Sequence, residues 1–233
     1  MFSLYKKELK YYLNNPIGYI VVALFAAFAN FLFVKDIFIV GSASMQPFFG
    51  LLPWLYLVFI PALTMRIIAE EKRTNTIEVL LTLPVSETQI VLAKFLALIT
   101  MLTVALVLTL SIPVSLSFLT KMYLPEVIIG YIGALFLGAA FIGVTMFFSS
   151  QTKNQVVAFL ASVIFLFFLL AVGTDFTANV LPKTLADFLS YYTPIYHLQN
   201  FVKGVVDARS LIYFISFSVV VLFLTIVNLE KRE

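Results

Sequence analysis

Cysteine is absent from the 233 residues, so the chain has no disulfide, no thiolate metal site and no thiol nucleophile, and redox chemistry says nothing about its compartment. Histidine and tryptophan occur once each, and only 12% of residues are charged. A soluble domain of this size carries roughly twice that share of charge, so the shortage excludes a cytoplasmic globular enzyme. There is no Gly-rich phosphate loop ending in Gly-Lys-Ser/Thr, no His-Glu-x-x-His and no Gly-x-Ser-x-Gly. The chain therefore lacks the recognisable means to bind nucleotide, to run metalloprotease chemistry or to form an acyl-enzyme. Its 15 basic and 12 acidic residues leave a net charge of +3. They are scattered at the edges of apolar runs, so there is no basic stripe to meet a nucleic acid.

What the chain does have is apolar surface: 62% of residues are hydrophobic, with 25 Phe and 11 Tyr, and the mean hydropathy is +1.05. Uncharged windows cover residues 11–34, 37–65, 95–120, 127–152, 154–174 and 210–229. Each reaches about the 20 residues a helix needs to cross ~30 Å of hydrocarbon. The expectation is an all-α integral membrane protein, a single domain over 1–233, with spans at 17–34, 49–68, 90–113, 127–148, 155–173 and 210–228. A shorter polar-aromatic window, 188–202, contains Pro194, His197 and Asn200 and reads as interfacial or re-entrant.

Six spans put both termini on one face, and the distribution of Lys and Arg chooses which. One face carries Lys6, Lys7, Lys10, Arg66, Lys72, Arg73, Lys94, Lys153, Lys231 and Arg232; the other carries Lys35, Lys121, Lys183, Lys203 and Arg209. Both termini are expected in the cytoplasm, of a cell inner membrane crossed many times. Before the first span, Phe2, Tyr5, Leu9, Tyr12 and Leu13 fall on one helical face while Lys6, Lys7, Lys10 and Asn14 face away. Residues 1–15 thus predict an amphipathic helix on the inner membrane surface, ended by Asn14-Asn15-Pro16. A signal peptide fits poorly, because fifteen patterned residues are too many for its charged leader.

One connection differs from the others. Residues 66–89, RIIAEEKRTNTIEVLLTLPVSETQ, hold four carboxylates and three basic residues. Arg66 and Glu70 are spaced to pair, and the mixed cluster Glu71, Lys72 and Arg73 follows. Asn75 with Glu78 makes one capping box and Ser86 with Gln89 a second, so a helix of about two turns carrying Ile77, Leu80 and Leu81 is held between two spans until Pro84 stops it. Such a helix suits docking into a groove on a soluble partner, although a solvated charged loop would obey the same topology.

These residues carry a resemblance. AEEKRTNTIEVLLTLPVSETQIVLAKFLA is similar to the region after the second span of ABC-2 type permeases. PIGYIVVALFAAFANFLF, PFFGLLPWLYLVFIPALTMR, SSQTKNQVVAF and YYTPIYHLQNFVKGVVDARSLIYF resemble the gliding-motility-associated permease group, which is close to the nitrous-oxide-reductase maturation permease. One departure is Asn75, where such permeases commonly carry Gly. The resemblance implies a permease that pairs with a second copy or homologue and with two cytoplasmic ABC ATPase subunits. ATP and Mg would sit on those partners, leaving this chain without a cofactor, a metal or a catalytic residue. It also leaves room for an auxiliary extracytoplasmic subunit. The loop helix, roughly Thr76 to Leu83, then corresponds to a coupling helix in an ATPase cleft. Glu70, Glu71, Lys72, Arg73, Thr76, Ile77, Glu78, Leu80, Leu81 and Pro84 form or flank that contact, and Gln151, Thr152, Lys153 and Asn154 form a second one. Segment 175–209 resembles short outer helices that dip back into the membrane between spans five and six.

Two other classes stand beside this one. An ion-coupled carrier needs ionisable groups within the membrane, and here only Arg66 and Lys94 fall inside the expected spans, near ends where long side chains can reach the headgroups. A non-transport membrane scaffold is the third class. Trp54 and Tyr56 read as boundary aromatics, and His197 as a hydrogen-bonded interfacial residue. In the fourth span Gly130, Gly133, Ala134, Gly138, Ala139 and Gly143 let another helix approach closely, within one subunit or between two.

Overall fold

The computed structural model describes residues 1–40, 44–76, 85–119, 122–174 and 182–230, and every regular element among them is a helix. Helix α1 (Phe2–Asn14) ends where Asn15 turns extended, and Pro16, with no N–H to leave unsatisfied, opens α2 (Pro16–Val40). Helices α3 (Gln46–Thr64) and α4 (Arg66–Arg73) meet at Met65. Ser86 caps α5 (Glu87–Thr109) by accepting the Gln89 N–H at 3.3 Å, so half of the second expected box is in place. Leu110 separates α5 from α6 (Ser111–Leu119), because Pro113 has no N–H to give the Thr109 carbonyl. Then come α7 (Leu124–Gln151), α8 (Gln155–Ala171), α9 (Lys183–Tyr191), α10 (Pro194–Val202) and α11 (Ala208–Glu230).

Five stretches are long and apolar enough to cross a bilayer: Pro16–Lys35, Gln46–Arg73, Glu87–Phe118, Leu124–Gln151 and Ala208–Glu230. The sixth expected window, 155–173, coincides with α8, an apolar helix of only 17 residues. Most observed helices run past their expected ends, since backbone hydrogen bonding continues into the polar margins that hydropathy leaves out.

Helix α7 is the centre of the bundle, touching α3, α4, α5, α8, α10 and α11. Its small residues are the reason. A Cβ on Gly130 would come within 2.2 Å of the Phe49 ring of α3, one on Gly133 within 2.4 Å of Phe201 of α10, and one on Gly138 within 2.3 Å of Leu102 of α5. The close-approach surface anticipated in the fourth span is thus filled at these positions by side chains of the same chain. Tyr56 corrects the sequence reading: it is fully buried against Phe25 and Phe141, while Trp54 next to it remains 41% exposed. Helix α10 carries His197, which is buried. Its Nδ1 lies 3.2 Å from Ser210 Oγ of α11, and its ring stacks on Tyr213 at 4.1 Å. Burial pulls its pKa below the ordinary value, against the opposing influence of the Tyr191 backbone and the Asp207 charge.

Candidate functional site

The charged connection singled out in the sequence begins at α4, and α4 is fastened into the bundle at three points. The first is the Met65 junction. An uninterrupted helix would join the Ala69 N–H to the Met65 carbonyl; here the Ser149 hydroxyl of α7 stands between them. It donates to Met65 O at 3.0 Å and accepts from Ala69 N at 3.1 Å and Ile68 N at 3.3 Å. A side chain inserted into the hydrogen-bond ladder explains the break in the helix and anchors it to α7 at the same time.

The second point is a buried ion triad. Lys94 of α5 has a side chain 1% exposed, with its Nζ 2.7 Å from Glu71 Oε1 of α4 and 3.1 Å from Glu8 Oε1 of α1. Sequence reading sent Lys94 outward to the headgroups. The structure turns it inward, because two carboxylates from other helices meet it there, and a buried ammonium needs such partners. Glu8 was overlooked in the sequence although a signal was present. It falls three residues after Tyr5 and four before Tyr12, inside the apolar stripe of α1, where a lone carboxylate must find a cation.

Third, the Lys72 ammonium donates to the carbonyl of Ser150 near the end of α7, and Asn228 of α11 donates to the same carbonyl at 2.8 Å. This places the end of α4 beside the turn 151–154. There Gln151, Lys153 and Asn154 are exposed, and Asn154 caps α8 by accepting the Val156 N–H at 2.9 Å. Thr152 is half-buried. The α4 part of the first polar segment and the turn 151–154 are therefore brought to one end of the bundle.

The remaining residues sort clearly. Glu70 does not pair with Arg66 as the spacing suggested; it pairs with Arg73 at 3.8 Å and accepts the Tyr11 hydroxyl at 3.2 Å. Burial first, and the Glu70 charge second, raise the Tyr11 pKa. Tyr12 donates to the Leu63 carbonyl at 3.2 Å, and burial followed by the Glu8 charge pushes its pKa well up. Arg73, Thr74, Asn75 and Thr76 are exposed. Asn75 has φ of +56°, a left-handed conformation that closes a helix, whereas an N-cap is extended. That is the backbone a glycine adopts freely and asparagine tolerates best among the others. Ile77, Glu78, Leu80, Leu81 and Pro84 lie outside the described residues. Between α1 and α4 a cavity of about 320 Å³ is walled by charged side chains, Arg66 among them.

A family model described as ABC-2 family transporter protein matches residues 2–232. No curated protein matches the chain.

Proposed function

The chain belongs to the ABC-2 transporter family, a family of membrane transport components, and we propose that it is the membrane-spanning permease subunit of an ATP-driven exporter, set in motion by separate ABC ATPase subunits. In this reading α8 completes six crossings, since 17 residues lie at the short end of what spans ~30 Å of hydrocarbon. Both termini, the connection 74–86 and the turn 151–154 face the cytoplasm. Helix α1 lies along that inner surface, and α9 and α10 dip back from the outer one. Two such permeases, copies or homologues, stand side by side over two ATPases that hold ATP and Mg. The gliding-motility and nitrous-oxide-reductase maturation permeases are the relatives whose role it would share, either exporting a substrate or working on an extracytoplasmic partner.

The observation that carries the proposal is the fastening of α4. A segment that only joined two spans would need no buried triad and no inserted hydroxyl. A segment that receives force does, because displacement at 74–86 passes into the bundle only if α4 moves together with α1, α5 and α7. ATP binding draws the ATPases together, the segment 76–83 follows its cleft, and α4 carries the movement through Glu71 to α5 and through Ser149 to α7. Co-purification tests the docking. Leu80→Asp with Leu81→Asp is expected to release the ATPases from the solubilised permease; retention of the ATPases with undiminished stimulated hydrolysis would refute it.

A further inference from the structure

The cavity between α1 and α4 touches the triad at Glu8 and Glu71, but Lys7, Tyr11, Arg66 and Glu70 in its walls have no part in the force path. It is bounded by Lys7, Glu8 and Tyr11 on one side and by Arg66, Glu70 and Glu71 on the other. Neither Arg66 nor Lys7 enters an ion pair among the described residues. The Arg66 Nε and the Glu71 Oε2 are buried without a hydrogen-bond partner. Groups of this kind are costly to bury unsatisfied, and their presence in one wall calls for a ligand that answers both signs.

The balance of charge narrows that ligand. The walls carry both signs, the cations Lys7 and Arg66 beside the carboxylates Glu8, Glu70 and Glu71; behind them Lys94 pairs with Glu8 and Glu71, and Arg73, 62% exposed to solvent, pairs with Glu70. A simple anion would be repelled by the carboxylates, and a simple cation by the guanidinium. A zwitterion with its two charges a few ångströms apart meets neither penalty. The position adds a second constraint. Arg66 begins α4 where the apolar helix α3 ends, and α1 beside it exposes Phe2 and Leu13 at 67% and 59%. That is the depth of lipid headgroups if these helices sit in the bilayer as proposed above.

We propose that this cavity binds a phosphoethanolamine group, with phosphate oxygens on Arg66 and Lys7 and the ammonium on Glu70 and Glu71. The group arrives either on a membrane aminophospholipid or as a soluble phosphoethanolamine; only the lipid source rests on the bilayer placement given above. No ATPase contact is required, so the test uses the permease alone. The detergent-purified full chain is titrated with phosphatidylethanolamine, phosphatidylcholine, phosphatidylglycerol and soluble phosphoethanolamine, and bound ligand is counted by native mass spectrometry. Phosphatidylethanolamine is expected to bind about tenfold more tightly than either other lipid, and Arg66→Gln and Glu70→Gln each to weaken it about tenfold. Unchanged thermal unfolding of at least one of these variants certifies that the fold is intact. Stronger binding of the lipid than of soluble phosphoethanolamine assigns the lipid source, and equal binding assigns the soluble one; both support the chemistry. Equal binding of all three lipids, or binding that survives in a folded Arg66→Gln or Glu70→Gln variant, overturns it.

Discussion

The Lys94 ammonium lies 2.7 Å from Glu71 and 3.1 Å from Glu8, joining three helices through one cation that is 1% exposed. Such a group is weak evidence of stability in itself, because desolvating three charges offsets most of their attraction. Removing the cation alone is a different matter, since two carboxylates would be left facing each other away from water. Lys94→Met is expected to cost about 3–5 kcal/mol. Thermal unfolding in detergent measures it, and Lys153→Met on the exposed turn, with no ion pair to lose, is the control expected to leave the midpoint in place.

The glycines of α7 separate by what faces them. Gly133→Ala would drive its Cβ to 2.4 Å from the Phe201 Cβ, whereas Gly143→Ala meets nothing nearer than Val221 at 3.7 Å. Overpacking of the first kind costs about 1–3 kcal/mol. Gly133→Ala is expected to lower the unfolding midpoint and Gly143→Ala to leave it or raise it slightly.

His197 gives the contact between α10 and α11 a pH dependence. Burial lowers its folded pKa below the ordinary 6.5. As pH falls through 6.5 the unfolded chain takes up the proton first, so stability is fully present above that value and declines below it, until the folded pKa is reached. Unfolding midpoints between pH 7.5 and 5 are expected to fall in the wild type, with a shallower slope in His197→Gln.

Orientation is testable because the chain has no cysteine of its own. Thr76 is exposed at the end of the bundle that α4 and the 151–154 turn share. A single Thr76→Cys is expected to react with a membrane-impermeant maleimide in inside-out vesicles and to be protected in intact cells. Labelling of intact cells would invert the topology.

The bundle was legible where a helix is long and apolar, because twenty uncharged residues have few other places to go. Breaks inside helices were harder to see. Pro113 announces the interruption at Leu110, yet the one at Met65 depends on Ser149, more than eighty residues away, and no local pattern reports that hydroxyl. The ion triad was half-written in the sequence: Lys94 in an apolar run and Glu8 in an apolar stripe each lack a nearby partner, but their meeting at Glu71 is tertiary. Asn75 shows the opposite case. Its departure from glycine marked an unusual joint, and the left-handed backbone there supplies the reason.

In the proposed function the triad carries movement from the ATPases into the spans. Its most direct test is ATP hydrolysis by the assembled complex with Glu8→Gln, Glu71→Gln and Lys94→Met combined, which removes the charges together and leaves no buried ion unpaired. This variant is expected to fold and to retain its ATPases, while hydrolysis no longer responds to the permease. Stimulation at the wild-type level in that complex would contradict it.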